Sequence, residues 1–258
     1  MTRWTTQWTS QYVTNMFLWI LKVWRQIAKW DMWRRWRQPA IMEQQFGCVA
    51  DLYDEYDLVW APDDPQLGDM SKPLLLCDRH MVFKMSQKLL GTSAACAVAF
   101  ILNFQYVKKY GLTMFKPSRM FLHYNSAMCS LRSTLRAVSR YGVCGEHVWP
   151  YMQTNLDVRP DARCYTEALD FPSVSYLSVP QNVDALLRCL QEGHPIAFQT
   201  TLTTDAGKQG RAAAVIVGYT CSQTFVVKTF MHKDNIHIPF DVVDNPKACS
   251  DFWIVSFV

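Results

Sequence analysis

The chain has 258 residues, half of them hydrophobic and about a fifth charged, so it can bury a sizeable core and is not a disordered tail. Twenty-six basic against 22 acidic side chains leave a net charge of +4, too mild for a surface that is wholly a nucleic-acid footprint. Nine cysteines lie no closer than fifteen residues apart, with no C-x-x-C pair, which argues against a zinc site and for reduced, buried thiols in a chain that is not secreted.

The charge is unevenly spread. Residues 1–40 hold seven basic side chains, one acid and seven of the ten tryptophans. Within them, 12–30 fit a helix: Tyr12, Val13, Met16, Trp19, Ile20, Val23, Trp24, Ile27 and Trp30 share one arc, with Asn15, Lys22, Arg25, Gln26 and Lys29 opposite. Trp33-Arg34-Arg35-Trp36-Arg37 follows. A cationic helix with tryptophan on its apolar side suits an anionic membrane surface; the same stripe also suits docking on the body or on a partner protein. The contact set is Trp19, Lys22, Trp24, Arg25, Lys29, Trp30, Trp33, Arg34, Arg35, Trp36 and Arg37, and no nucleic-acid partner is expected.

Residues 41–71 contain eight acids and no Lys or Arg, punctuated by Pro62, Pro65 and Gly68. They read as a linker, solvated or folded back on the arm. The run Asp51–Asp57 resembles a metal-binding loop in charge alone, so neither a metal nor a cofactor is implied. The resulting division is a basic arm (1–40), an acidic linker (41–72) and a body (73–258).

The body reads as α+β. Thr92 or Ser93 caps a helix with Ala94, Ala97, Val98, Ile101 and Phe104 in helical period, ended by Gly111. A second helix carries Leu131, Leu135 and Val138 and stops at Gly142. A third spans about Asn182–Gln191, with Leu186, Leu187 and Leu190 inside. Five apolar runs then predict strands: Ile196–Thr201, Ala212–Tyr219, Phe225–Thr229, Ile236–Phe240 and Phe252–Val258.

The segment Gln87-Lys88-Leu89-Leu90-Gly91-Thr92-Ser93-Ala94-Ala95-Cys96-Ala97 resembles the start of papain-like cysteine proteases, in the form found in bacteria and large DNA viruses. The resemblance continues in order through Pro117–Asn125, Tyr141–Cys144, Trp149–Tyr151, Val179–Asn182, Ala212–Tyr219, Phe225–Thr229, Ile238–Phe240 and Ser250–Trp253. It implies a helical subdomain packed on a β-barrel-like one, with a cleft between them and the amphipathic arm ahead. Carried over residue by residue, the oxyanion-hole glutamine is Gln87, the nucleophile position holds Ser93, the base position Ala212 and the orienting position Thr229.

Such proteases use a thiolate–imidazolium pair, and serine with alanine supplies neither partner. On this reading the chain is a pseudo-protease and no enzyme. The resemblance implies a structural or scaffolding role, as a virion or minor capsid component, or a cytoplasmic one at an internal membrane. Its partners would be other capsid or assembly subunits. The alternatives are a peptide-binding regulator of proteolysis, and a hydrolase using Ser93 or Cys96 with a histidine from elsewhere. Cys96 reads as a buried helix residue, Ser93 as a helix N-cap, and His123, His232 and His237 as packed or surface side chains. The cleft would hold a peptide, or be filled by Phe230 and Met231.

Overall fold

The computed structural model describes residues 46–258 except 64–65, 78–84, 86–89, 112–114, 204–206 and 208. Every residue of the proposed arm contact set, Trp19 to Arg37, lies outside the described residues, and so does Gln87. Gln44–Val258 pack as one unit.

Four helices, α1 (Ser93–Tyr110), α2 (Arg119–Asn125), α3 (Leu131–Tyr141) and α4 (Ala162–Leu169), precede most of the strands, and α5 (Val183–Gln191) and the short α6 (Phe240–Asp244) lie among them. Their starts follow local chemistry. Ser118 accepts from the Phe121 amide, Ser130 from Ser133, Asp161 from Cys164 and Asn182 from Ala185, each satisfying an amide that the first turn leaves open. In α3 the bond is reciprocated by the Ser133 hydroxyl. Gly111 and Gly142 close α1 and α3, as the sequence predicts.

The strands β1 (Leu74–Leu75), β2 (Val174–Ser178), β3 (Ile196–Thr203), β4 (Gln209–Tyr219), β5 (Thr224–Lys228), β6 (Ile236–Pro239) and β7 (Cys249–Phe257) form one antiparallel sheet. Its order is β2-β7-β3-β4-β5-β6, with β1 added on β4. Side chains alternate between two cores, because successive residues of a strand face opposite ways. Ala197, Ala213, Val215, Val217, Trp253 and Val255 face α1, α2 and α3. Ile196, Phe198, Ala214, Ile216, Phe252 and Ile254 face α5 and the β5–β6 hairpin. Both faces of the sheet are therefore covered, which explains why β4 is apolar at consecutive positions.

The long helix α1 is buried almost all round, from Ser93 to Phe104. Periodicity from Ala94 to Phe104 identified the helix, yet one apolar stripe understates its burial: α2, α3, β4 and β7 all pack on it. Its two buried amides each donate to a carbonyl, Asn103 to that of Phe115 and Gln105 to that of Val255 at 2.8 Å.

The acidic stretch is not simply solvated. Asp57 pairs with Arg132 and Asp54 with Arg136 (2.6 Å). The Asp51 carboxylate accepts from the Trp253 indole at 2.9 Å and from the Arg132 amide at 3.2 Å. Three acids of the run Asp51–Asp57 thus clamp the chain onto α3 and β7.

Candidate functional site

The site is built where the first turn of α1 meets β4. Ser93 is 1 % exposed. Its hydroxyl donates to the Phe46 carbonyl at 2.5 Å and accepts from the Ala213 amide at 3.0 Å. It does not cap the helix; Thr92 holds the N-cap position, one of the two the sequence offered, but makes no side-chain capping bond, its hydroxyl lying 2.5 Å from that of Tyr151. Both side chains were free for capping in local terms, and both are claimed by distant partners instead.

A strap, residues 46–49, crosses this point. Its Phe46 is buried in a cluster with Leu202 and Ala212, with Met231 and Ile236 against it. The ring lies on Gly210, where any Cβ would collide with it. Gly47 has φ +62°, and a Cβ there would stand inside the backbone of Gly91, so only glycine allows so close an approach. Further along, the Val49 amide donates to the Cys129 carbonyl at 3.3 Å. The sequence reading did not single out the strap; its one signal is an apolar Phe-Gly pair inside an acidic stretch.

The other carried-over positions gather nearby. Ala212 pairs with Thr200 across β3–β4 and is fully buried. Thr229 follows β5 and is also buried; its hydroxyl lies 3.0 Å from His232 Nδ1, and His232 Nε2 lies 3.2 Å from the Thr203 carbonyl. His232 is therefore tied to both the Thr229 position and the end of β3. Phe230 does not fill the cleft: it turns into the helical core, 6.0 Å from the Phe100 ring. Met231 does pack beside Ala212, as expected. His237 sits on β6, 3.5 Å from the Thr224 hydroxyl, and pairs across to Val226 rather than joining the site.

Cys96 is fully buried one turn beyond Ser93. Burial pushes its thiol up, although the Arg119 guanidinium and the Thr92 and Tyr151 hydroxyls act the other way. Arg119 stacks 3.6 Å over the Tyr151 ring and pairs with Glu146 at 2.6 Å. This polar cage supports the α1–α2 junction and leaves the thiol no route to solvent. Burial likewise pushes up the Cys48 thiol on the strap. Among the described residues, no three His, Cys, Asp or Glu side chains converge as a metal ion would require.

No family model matches the chain. It is 26 % identical over 217 residues to an uncharacterized peptidase C1-like protein of Acanthamoeba polyphaga mimivirus, covering 68 % of this chain and 70 % of that one. Among solved structures it superposes on xylellain, a cysteine protease from Xylella fastidiosa, with a TM-score of 0.74 at 22 % identity, over 83 % of this chain and 96 % of the other. The fold is papain-like. A digestive procathepsin L2 proteinase from Tenebrio molitor larval midgut also matches, with a TM-score of 0.66 at 14 % identity, over 99 % of this chain and 96 % of the other.

These relatives overturn one expectation. The mimivirus protein is named peptidase C1-like and the two structures a cysteine protease and a proteinase, so the reading of this chain as no enzyme, a pseudo-protease, is withdrawn. That reading rested on three aligned positions, and an ordered series of motifs fixes the papain-like fold without fixing which side chains do chemistry within it. Nor does any contact among the described residues speak for a virion, capsid or membrane role.

Proposed function

We propose that the protein binds an extended polypeptide across its papain-like site, gripping the backbone of the bound segment through the Ser93 hydroxyl and the Cys129 carbonyl. One observation carries the reading: a segment of the chain's own backbone, residues 46–49, already lies there. The strap gives Ser93 a carbonyl acceptor, gives Cys129 an amide donor, and buries Phe46 between β3 and β4. These are backbone contacts plus one apolar anchor, the means by which a groove holds peptides of varied sequence.

The proposal keeps Ser93, Ala212 and Thr229 as the counterparts of the family's nucleophile, base and orienting positions. In its favour, Ser93 opens the central helix, the Ala213 amide reaches its hydroxyl at 3.0 Å, and Thr229 holds a histidine at 3.0 Å. The apolar cluster around Ala212 then serves as the pocket for the anchor side chain.

The test is a calorimetric titration of a synthetic peptide with the sequence of residues 44–50 into the full chain and into its Gly47→Ala variant. The native strap competes as an intramolecular ligand, while Ala at 47 cannot approach Gly91 and releases it. Gly47→Ala is expected to bind the peptide at least about tenfold more tightly than the native chain. Equal, weak binding by both would overturn the reading. Mass analysis of the recovered peptide in the same samples reports whether it is also cut.

A further inference from the structure

We propose that the site selects a phenylalanine followed by glycine, so that its ligands are polypeptide segments carrying a Phe-Gly dipeptide. This rests on the reading of the strap as a seated peptide, and adds to it which residues a ligand must present.

Most of the grip is blind to sequence. The Ser93 hydroxyl donates to a backbone carbonyl and the Cys129 carbonyl accepts from a backbone amide, groups that nearly every residue offers. Discrimination comes from the two positions where the strap and the protein approach most closely.

The first is the anchor. Phe46 is buried with Leu202 of β3 and Ala212 of β4, and Met231 and Ile236 pack against the cluster. The floor of this pocket is Gly210, where a Cβ would collide with Cγ, Cδ2 and Cε2 of the Phe46 ring. The missing side chain on β4 is what makes room for a ring, and a glycine inside a strand marks such a close approach.

The second is the residue after the anchor. Gly47 is left-handed, φ +62°, and a Cβ on it would overlap the carbonyl of Gly91 just before α1. These are separate demands. Asparagine and aspartate meet the first, because they enter the left-handed region more readily than other residues with a Cβ. The second excludes every side chain. Gly91 leads directly into Thr92 and Ser93, both hydrogen-bonded to distant partners, so its carbonyl is held in place against the strap. The ligand must therefore carry glycine itself at this position, directly after the ring.

The experiment titrates four heptapeptides into the full-length Gly47→Ala chain, in which the strap is released. One has the sequence of residues 44–50, and the others carry Phe46→Ala, Gly47→Ala or Gly47→Asn. The parent peptide is expected to bind, and each change to weaken it about tenfold or more, Asn as much as Ala. In the chain that also carries Gly210→Ala, the advantage of the parent over the Phe46→Ala peptide should vanish; if it persists, Gly210 is not the floor that admits the ring. Asn bound within about twofold of Gly would mean that the backbone conformation alone is selected, and the glycine requirement would fall. Four equal affinities would overturn the selection and leave peptide binding standing, whereas no binding by any of them would overturn both. A second measurement needs no released strap: Val49 amide exchange in full chains carrying Phe46→Ala or Gly47→Asn. Each should lose protection by about tenfold or more, and protection unchanged in both would overturn the proposal.

Discussion

Replacing Ser93 by alanine removes one hydroxyl that serves two buried backbone groups. The Phe46 carbonyl loses its donor and the Ala213 amide its acceptor. A buried polar group left unpaired costs about 1–3 kcal/mol, and alanine returns roughly 0.5 kcal/mol through its better helix propensity. Two such groups less that gain give an expected net loss of about 1.5–5.5 kcal/mol. At roughly 2–4 °C per kcal/mol for a domain of this size, Tm falls by about 3–20 °C. Denaturant unfolding of Ser93→Ala, Gly47→Ala and the double variant makes the argument specific to the strap. With the strap already released, Ser93→Ala forfeits only the Ala213 bond, so the two losses should fall short of additivity by about 1–2 kcal/mol. A Ser93→Ala change within about 0.5 kcal/mol of the native chain, or full additivity, would refute the reasoning.

Two further outcomes follow from other parts of the fold. Asp251 is held in the left-handed region at φ 60°, and burial first, then neighbouring Asp51, raises its pKa. The native state therefore binds its proton more readily than the unfolded chain, and the stability this confers at low pH is lost as pH rises through the raised value. Asp251→Asn, which tolerates the same backbone and keeps an acceptor for the Asp51 amide, should raise Tm at pH 7 by an amount that shrinks towards pH 4; a gap constant with pH would contradict this. Gly142 ends α3 at φ 69°, and a Cβ there would collide with the Ala168 carbonyl of α4. Gly142→Ala should cost clearly more in denaturant unfolding than Gly111→Ala, which carries the same positive-φ strain of about 1–3 kcal/mol but whose Cβ meets nothing.

Periodicity located what is long or repeated. The helices Ser93–Tyr110, Leu131–Tyr141 and Val183–Gln191 and the strands β3 to β7 lie where apolar spacing and terminal glycines put them, to within about three residues. The segments α2, α4, α6, β1 and β2 were not among those predictions. Each has eight residues or fewer, too short for a period to stand out, although Asp161 was a readable cap for α4. The site was legible only in part. Ser93, Ala212 and Thr229 were placed by resemblance; Ser93 bonds the residue after Ala212, and Thr229 bonds His232. What Ser93 bonds to was not readable, since Phe46 lies 47 residues earlier and its approach depends on two glycine backbones in contact.

Amide hydrogen exchange, resolved to single residues in the full chain, tests most directly whether the strap is seated as a ligand. Val49 donates to Cys129 and Ala213 to Ser93, so both amides should exchange far more slowly than in an unstructured chain. Gly47→Ala should then release Val49 to the unprotected rate and leave the other amides of β4 protected. A Val49 amide that already exchanges freely in the native protein would contradict the account.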